Sequence, residues 1–106
     1  MKNTIPLTEN HMFRRLYKTG KCTVTPYIAV YFQKNRLGVS RLGITATKKI
    51  GKAVQRNRVR RIIREAYRLS EDSLPVGRDI VIVARKRAVG AKMQDVRAAL
   101  RAGLRF

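Results

Sequence analysis

The sequence predicts a single α+β domain in which helices and short strands share one core. Three observations predict this fold class. A long stretch after Gly51 repeats apolar residues at helical spacing, two earlier runs alternate like strands, and the run 79–84 is apolar on both faces. The length of 106 residues suits one domain spanning 1–106. The expected order is helix, two or three strands, helix, strand, helix, with no internal repeat.

The chain begins with a short arm and a short helix. Residues 1–7 show little pattern, so we expect them to form a loose arm. Thr8 is the expected N-cap of a helix over about 9–18, because its hydroxyl can accept a hydrogen bond from the first turn. Gly20 follows the last apolar residue of the pattern and should end this helix.

Two strands are expected next, over 27–33 and 41–47, because both runs alternate and the first is rich in β-branched and aromatic residues. The intervening residues 34–39 contain Asn35 and Gly38 and form the turn, so the two strands should pair antiparallel. The alternation places the following residues on the apolar face of the first strand: Ile28, Val30 and Phe32.

The second half of the chain is expected to contain the longest helix, an interior strand and a last helix. The long helix should run from just after Gly51 to about residue 70 or 72, and the last helix from 92 to about 104. Between them, 79–84 should be a strand covered on both faces. The apolar faces of the two helices are predicted to be Val59, Ile62, Ile63, Ala66 and Tyr67 in the first and Val96, Ala99, Leu100 and Leu104 in the second.

The charge of the chain indicates a polyanionic partner. Lys and Arg number 25 against 6 Asp and Glu, which gives a net charge of +19. Between Lys48 and Arg68 the only acid is Glu65, although like charges four apart on a helix cost roughly 0.2–0.5 kcal/mol per pair. Arginine favours phosphate because its planar fork binds two oxygens at once. A solvated basic face and an anionic membrane surface are the alternative interpretations.

The remaining composition offers little protein-based chemistry. Cys22 is the only cysteine, so neither an intrachain disulfide nor a cysteine-based metal site is expected, and a cytoplasmic location is predicted. No apolar run is long enough for a secretion signal or a membrane span. His11 stands alone and the carboxylates are scattered, so no catalytic residue and no metal ligand of the protein is predicted.

The stretch 48–64, KKIGKAVQRNRVRRIIR, resembles the signature of the protein subunit of bacterial ribonuclease P. In that family an Arg-Asn-Arg run follows a Lys-Lys-Ile-Gly turn, and here the run is Arg56, Asn57 and Arg58. The similarity extends over nearly the whole chain, through NHMFRRLYKTG, YIAVYF, LGITATKKIG and GRDIVIVAR. The sequence departs from the family in its short N-terminal arm and in ending at Phe106 without a basic tail, and these departures bear only on contacts made by the tails.

The resemblance implies a two-layer α/β sandwich with a mixed sheet of about four strands in the order α-β-β-β-α-β-α, a ribosomal-protein-like fold with a left-handed β-α-β crossover. It also implies a ribonucleoprotein that removes the 5′ leader of precursor tRNA, with catalysis and Mg²⁺ held mainly by the RNA subunit. The implied partners are ribonuclease P RNA and precursor tRNA, with no membrane and no obligatory protein partner. Composition alone leaves open a ribosomal or other structural RNA-binding protein with no role in catalysis.

The resemblance also implies roles for individual residues. Phe13, Tyr17 and Tyr31 match aromatic positions that line a leader-binding cleft, although the sequence pattern alone leaves open that Phe13 and Tyr17 plug the core. Arg58 falls near Ile62 on the helical wheel, so a partly inward position is an open alternative for it. The expected contacts to the RNA subunit are Lys48, Lys49, Lys52, Arg56, Asn57, Arg58, Arg60, Arg61, Arg64 and Arg68.

Overall fold

The computed structural model describes residues 1–104, so the expected absence of a basic tail at Phe106 lies outside the described residues. This part of the chain forms five strands and three α-helices, together with three single-turn 3-10 helices. In chain order the main elements are β1 (Thr4–Pro6), α1 (Asn10–Thr19), β2 (Lys21–Val24), β3 (Ile28–Lys34), β4 (Ser40–Thr45), α2 (Ala53–Ser70), β5 (Arg78–Ala84) and α3 (Met93–Gly103).

The strands form one mixed sheet in the order β1-β4-β5-β3-β2. β5 runs parallel to β4 and antiparallel to β3, so the expected direct pairing of β3 with β4 is wrong. The cause is the apolarity of β5, whose Ile80, Val81 and Ile82 are at most 1% exposed and are best buried in the centre of the sheet. The parallel neighbours β4 and β5 are connected through α2, which forms the expected β-α-β unit.

The helices lie on both faces of the sheet. α2 and α3 pack on one face, where Ile28, Val30 and Phe32 meet the apolar sides of both helices in the main core. The apolar faces predicted for the strands and for these two helices are confirmed. α1 packs on the opposite face against a smaller cluster centred on Leu16 and Val81. The sheet with α2 and α3 forms the two expected layers, and α1 covers part of the second face.

The boundaries of the helices follow the sequence closely except at one cap. α2 ends at Ser70 and α1 at Thr19, directly before Gly20, as expected. The N-cap of α1 is Glu9, and its side chain makes no capping bond, so the assignment of Thr8 was wrong. Leu7 is buried and its N–H donates to the C=O of Leu42, which keeps the chain extended through Thr8 and delays the helix.

The N-terminal arm is ordered, so the expectation of a loose arm was wrong. β1 pairs parallel with β4 at the edge of the sheet. The buried carboxylate of Glu71 accepts hydrogen bonds from the N–H groups of Lys2 and Asn3 at 2.7 and 3.3 Å. It also accepts one from the Thr4 hydroxyl at 2.5 Å, and that hydroxyl lies 3.0 Å from the hydroxyl of Tyr67. The arm is therefore held by side chains near the end of α2.

Glu71→Gln should destabilise the fold by about 1–3 kcal/mol, because a charged acceptor of three hydrogen bonds becomes a neutral one. Burial alone would raise the pKa of Glu71, but bonds from Thr4, Lys2 and Asn3 outweigh it and lower the pKa. The carboxylate therefore stabilises the fold above its unfolded pKa of about 4.3, and this contribution is lost as the pH falls through the lowered folded value. Denaturant unfolding measured from pH 7 to pH 3 should show that the unfolding free energy falls less steeply with acidification in the variant than in the wild type.

Asp72→Asn is the matched control for this prediction, because Asp72 adjoins Glu71 and is exposed. Its unfolding free energy should stay within about 0.5 kcal/mol of the wild type. Equal stability of Glu71→Gln and the wild type at pH 7 would contradict the stabilising role of the hydrogen bonds between Glu71 and the N-terminal arm.

Candidate nucleic-acid interface

The start of α2 is determined by a glycine and a glutamine. The side-chain oxygen of Gln55 accepts a hydrogen bond from the Lys52 N–H at 2.9 Å and so satisfies a group at the helix start. Gly51 has a φ of 150°, and a Cβ there would lie 2.1 Å from that oxygen, so the position requires glycine. Lys48, Lys49 and Lys52 are consequently exposed beside the positive end of the helix dipole. An anionic partner would relieve this unfavourable arrangement.

The basic residues of α2 differ in their freedom to bind a partner. Arg58, Arg61 and Arg64 are exposed, and no carboxylate among the described residues pairs with them. Arg68 is exposed but pairs with Glu65 through two hydrogen bonds. We define the basic band as the expected RNA contacts that are exposed in the structure: Lys48, Lys49, Lys52, Asn57, Arg58, Arg61, Arg64 and Arg68.

Arg56 and Arg60 are half-buried, so the basic band does not include the whole predicted set. Arg60 donates to the C=O of Ala46 at 3.1 Å and to the side-chain oxygen of Asn57 at 3.0 Å. The bond to Ala46 connects α2 to the segment after β4, which carries Lys48. Arg60 therefore positions part of the basic band in addition to contributing charge, a role that the sequence pattern did not indicate.

The open alternative of a partly inward Arg58 is wrong, because the side chain is exposed. The buried face of α2 is centred on Val59 and Ile63, and Arg56 and Arg60 flank that face at helical spacing. Ile62, whose position suggested an inward Arg58, is itself only partly buried at the margin of the core.

The aromatic residues expected at the leader site come together between α1 and the sheet. The rings of Tyr17 and Tyr31 meet edge to face with centroids 4.9 Å apart. Phe13 and Tyr31 both pack against the small cluster on this face, whereas Tyr17 is 42% exposed. We call Phe13, Tyr17 and Tyr31 the aromatic cluster. Phe13 is thus partly a core residue, and Tyr17 is mainly a surface residue.

Two neighbours of the aromatic cluster were not found by sequence reasoning. Gly43 on β4 lies under the Phe13 ring, and a Cβ there would approach the ring Cζ to 2.5 Å. Glycine is therefore needed for Phe13 to approach the sheet. Cys22 lies opposite Tyr31 on β2, and its hydrogen bond raises the pKa of Tyr31, with smaller contributions from burial and Tyr17. The Tyr31 hydroxyl stays neutral and adds no negative charge to the cluster.

The acidic side chains of the described residues are largely engaged in structural contacts. Asp79 accepts two hydrogen bonds from Arg41, at 2.8 and 2.7 Å, and one from Asn35 at 2.9 Å. His11 is exposed and lies 3.2 Å from the carboxylate of Glu9. Within residues 1–104 no group of three or more His, Cys, Asp and Glu side chains could hold a metal ion. In the same range no helix is long and apolar enough to cross a membrane.

The two surfaces therefore have different chemistry and lie on different sides of the sheet. The basic band lies along α2 and the segment just before it, and α2 packs with α3 on one face of the sheet. The aromatic cluster lies between α1 and the other face. One surface offers unpaired guanidinium groups to phosphates, and the other offers aromatic rings to unpaired bases.

Comparisons with known proteins identify the family of the chain. The family model for Ribonuclease P matches residues 1–105. The ribonuclease P protein component of Clostridioides difficile (strain 630) is 44% identical over 91 residues, which cover 85% of this chain and 80% of that protein. The structure of the RNase P protein from Thermotoga maritima has a TM-score of 0.85 at 34% identity and covers 96% of this chain and 97% of that chain.

The structure of Staphylococcus aureus RNase P protein is also similar, with a TM-score of 0.82 at 32% identity. That alignment covers 93% of this chain and 91% of the other. Both the sequence and the fold thus match the same family over almost the full length of the described residues. The chain therefore belongs to the ribonuclease P protein family.

Proposed function

We propose that the chain holds the RNA subunit of ribonuclease P with its basic band and the 5′ leader of precursor tRNA with its aromatic cluster. The single observation that carries this proposal is the presence of both surfaces, on different sides of the sheet, in a ribonuclease P protein. Two separate surfaces allow one small domain to contact the ribozyme and the substrate at once.

The basic band suits the backbone of a folded RNA. Within residues 1–104 no carboxylate pairs with Arg58, Arg61 or Arg64, so their donors are available to phosphate oxygens. Contacts of this kind provide affinity without base specificity. Binding of the RNA also removes the repulsion between like charges along α2.

The aromatic cluster suits a single strand. Unpaired bases stack on aromatic side chains whatever their sequence, and each stacked base contributes roughly 1–3 kcal/mol by alanine substitution. Tyr17 is exposed enough to accept a base, and Tyr31 supports it from the sheet. A precursor tRNA has such a strand in its leader, and a mature tRNA does not.

We place catalysis and its Mg²⁺ ions in the RNA subunit. In this proposal the protein assists cleavage, because its cations replace part of the counterion screening that the RNA and the substrate otherwise take from Mg²⁺. The structural engagement of Asp79 and Glu71 supports this division, since neither carboxylate is available as a metal ligand or general base.

The purified protein should therefore leave precursor tRNA uncleaved, and adding its RNA subunit should restore leader removal at a lower Mg²⁺ concentration than the RNA needs alone. The measurement is single-turnover cleavage across a Mg²⁺ titration, with the wild type and His11→Ala compared. His11→Ala should leave the saturating rate unchanged, because His11 is exposed and its ion-pair partner in the part of the chain that the structure describes is the exposed Glu9.

Cleavage by the protein without RNA would overturn the proposal, as would an unchanged Mg²⁺ requirement in its presence. Identification of the RNA that copurifies with the tagged protein provides an independent check. Recovery of one large RNA that cleaves precursor tRNA supports the proposal, and recovery of ribosomal RNA alone contradicts it.

A further inference from the structure

Two segments leave the sheet side by side at the same end. β4 and β5 run parallel with Thr45 opposite Val83, so the segments that follow them start from neighbouring strands, which lie about 4.8 Å apart. The first segment carries the lysines of the basic band. The second is the connection from β5 to α3, over 85–92. Charged residues in this connection are therefore placed beside the basic band.

The connection from β5 to α3 begins with three consecutive cations, which we call the basic turn: Arg85, Lys86 and Arg87. All three side chains are exposed. The Arg85 N–H donates to the C=O of Tyr27 at 3.0 Å, and the Arg85 guanidinium donates to the C=O of Thr25 at 2.7 Å. These bonds hold the start of the basic turn against the connection between β2 and β3.

The basic turn is also anchored in the main core. Lys86–Ala88 is one of the single-turn 3-10 helices, and Ala88 and Ala91 are buried. They belong to the same core cluster as Ala46 and Ile50, which lie in the segment after β4. The two segments thus pack on one core and keep a fixed relative position. Their cations form one continuous rigid surface for a partner.

The charge of the basic turn is not offset by acids. Within residues 1–104 no carboxylate pairs with Arg85, Lys86 or Arg87. The next acid along the chain, Asp95, accepts a hydrogen bond from the Lys92 N–H at 3.3 Å and serves the start of α3. Three neighbouring like charges repel one another, and an anionic partner would remove this repulsion.

A cavity of about 310 Å³ lies at the basic turn, and its lining consists of the three cations and Pro26. A concave site allows several donors to converge on one anion, and each guanidinium can bind two phosphate oxygens at once. None of the described residues that line the cavity is aromatic. The cavity therefore suits a backbone phosphate better than an unpaired base.

We propose that the basic turn binds phosphates of the RNA subunit as a second contact beside the basic band. This inference rests on the proposed function. The RNA subunit is favoured over the leader because the basic turn lies at the same end of the sheet as the lysines of the basic band. The aromatic cluster lies further along the strands, where Tyr31 pairs with Val81, four residues before Arg85. Two contacts at a fixed separation would set the orientation of the RNA on the protein.

The first test measures how binding of the RNA subunit depends on salt. Lys86→Ala and Arg87→Ala should each flatten the slope of log K against log salt by roughly 0.7–0.9 units, the value for one phosphate contact. Both side chains are exposed, so the melting temperature should stay unchanged. Arg101→Ala is the matched control, because it removes an exposed cation about two turns into α3 and should change the slope little.

The second test identifies the nucleic acid that lies at the basic turn. Lys86→Cys and Arg101→Cys are each combined with Cys22→Ser, so that one thiol carries an iron–EDTA reagent that cuts nearby nucleic acid by hydroxyl radicals. The holoenzyme is assembled from each labelled protein and bound to precursor tRNA. Cuts directed from position 86 should fall in the RNA subunit, at nucleotides that position 101 does not reach.

Unchanged salt slopes for both Lys86→Ala and Arg87→Ala would overturn the basic turn as an RNA contact. Equal flattening by Arg101→Ala would also overturn it, because the effect would then be one of net charge alone. Cuts confined to the leader or to the body of precursor tRNA would overturn the RNA subunit as the partner. Arg61→Ala is measured alongside. If it flattens the slope while the variants of the basic turn do not, the proposed function stands and only this inference fails.

Discussion

Arg58→Ala and Arg61→Ala should each weaken binding of the RNA subunit and reduce its dependence on salt. If the basic band neutralises about five phosphates, the slope of log K against log salt should lie between roughly −3.5 and −4.5. Each substitution removes an exposed guanidinium that no carboxylate of the described residues neutralises, so each should flatten the slope by just under about one unit. Equilibrium binding of the protein to its RNA subunit, measured at several salt concentrations, gives both quantities.

Three comparison variants make this experiment specific. Arg14→Ala removes an exposed cation from α1 on the opposite face of the sheet, so it should change the slope little. Arg68→Ala should have a smaller effect than Arg61→Ala, because Arg68 already pairs with Glu65. Arg60→Ala should also lower the melting temperature, since it breaks the bond to Ala46. Unchanged slopes for both Arg58→Ala and Arg61→Ala would remove the basic band from the interface.

Tyr17→Ala should lower the affinity of the holoenzyme for precursor tRNA while leaving its affinity for mature tRNA almost unchanged. Loss of one stacked base costs roughly 1–3 kcal/mol, and a mature tRNA has no leader base to lose. Tyr17 gives the clearest result in the aromatic cluster because it is 42% exposed, so its removal disturbs the core least. The two affinities would be measured side by side on a variant whose melting temperature is preserved.

Phe13→Ala and Tyr31→Ala should show the same selectivity with an added loss of stability, because both rings pack on the small cluster beneath α1. Leu37→Ala is the control, since Leu37 is also a large exposed apolar residue but lies in the loop between β3 and β4. Shortening the leader one nucleotide at a time should remove the selectivity in steps. A constant ratio of precursor to mature affinity in all three aromatic variants would show that these rings serve only the core.

The sequence by itself determined the elements whose patterns are local. The residues of α2 recur at helical spacing, and those of β5 are apolar on both faces, so their extents and buried sides could be predicted. The basic band could be predicted for the same reason, because the helical period assigns each arginine to a face. For Arg58 the helical spacing left an inward position open, because spacing does not show how far a neighbouring layer extends, and the structure exposes this side chain.

Only the tertiary structure decided the contacts between distant segments. β3 and β4 are close in sequence, but β5 lies between them in the sheet. The free energy gained by burying both apolar faces of β5 outweighs the advantage of pairing β3 with β4 through their short connection. The N-terminal arm becomes a strand because Glu71, 69 residues after Lys2, accepts its main-chain hydrogen bonds. The approach of Phe13 to Gly43 likewise depends on how α1 docks on the sheet. Such contacts arise from long-range burial and hydrogen bonding, which leave no periodic signal in the sequence.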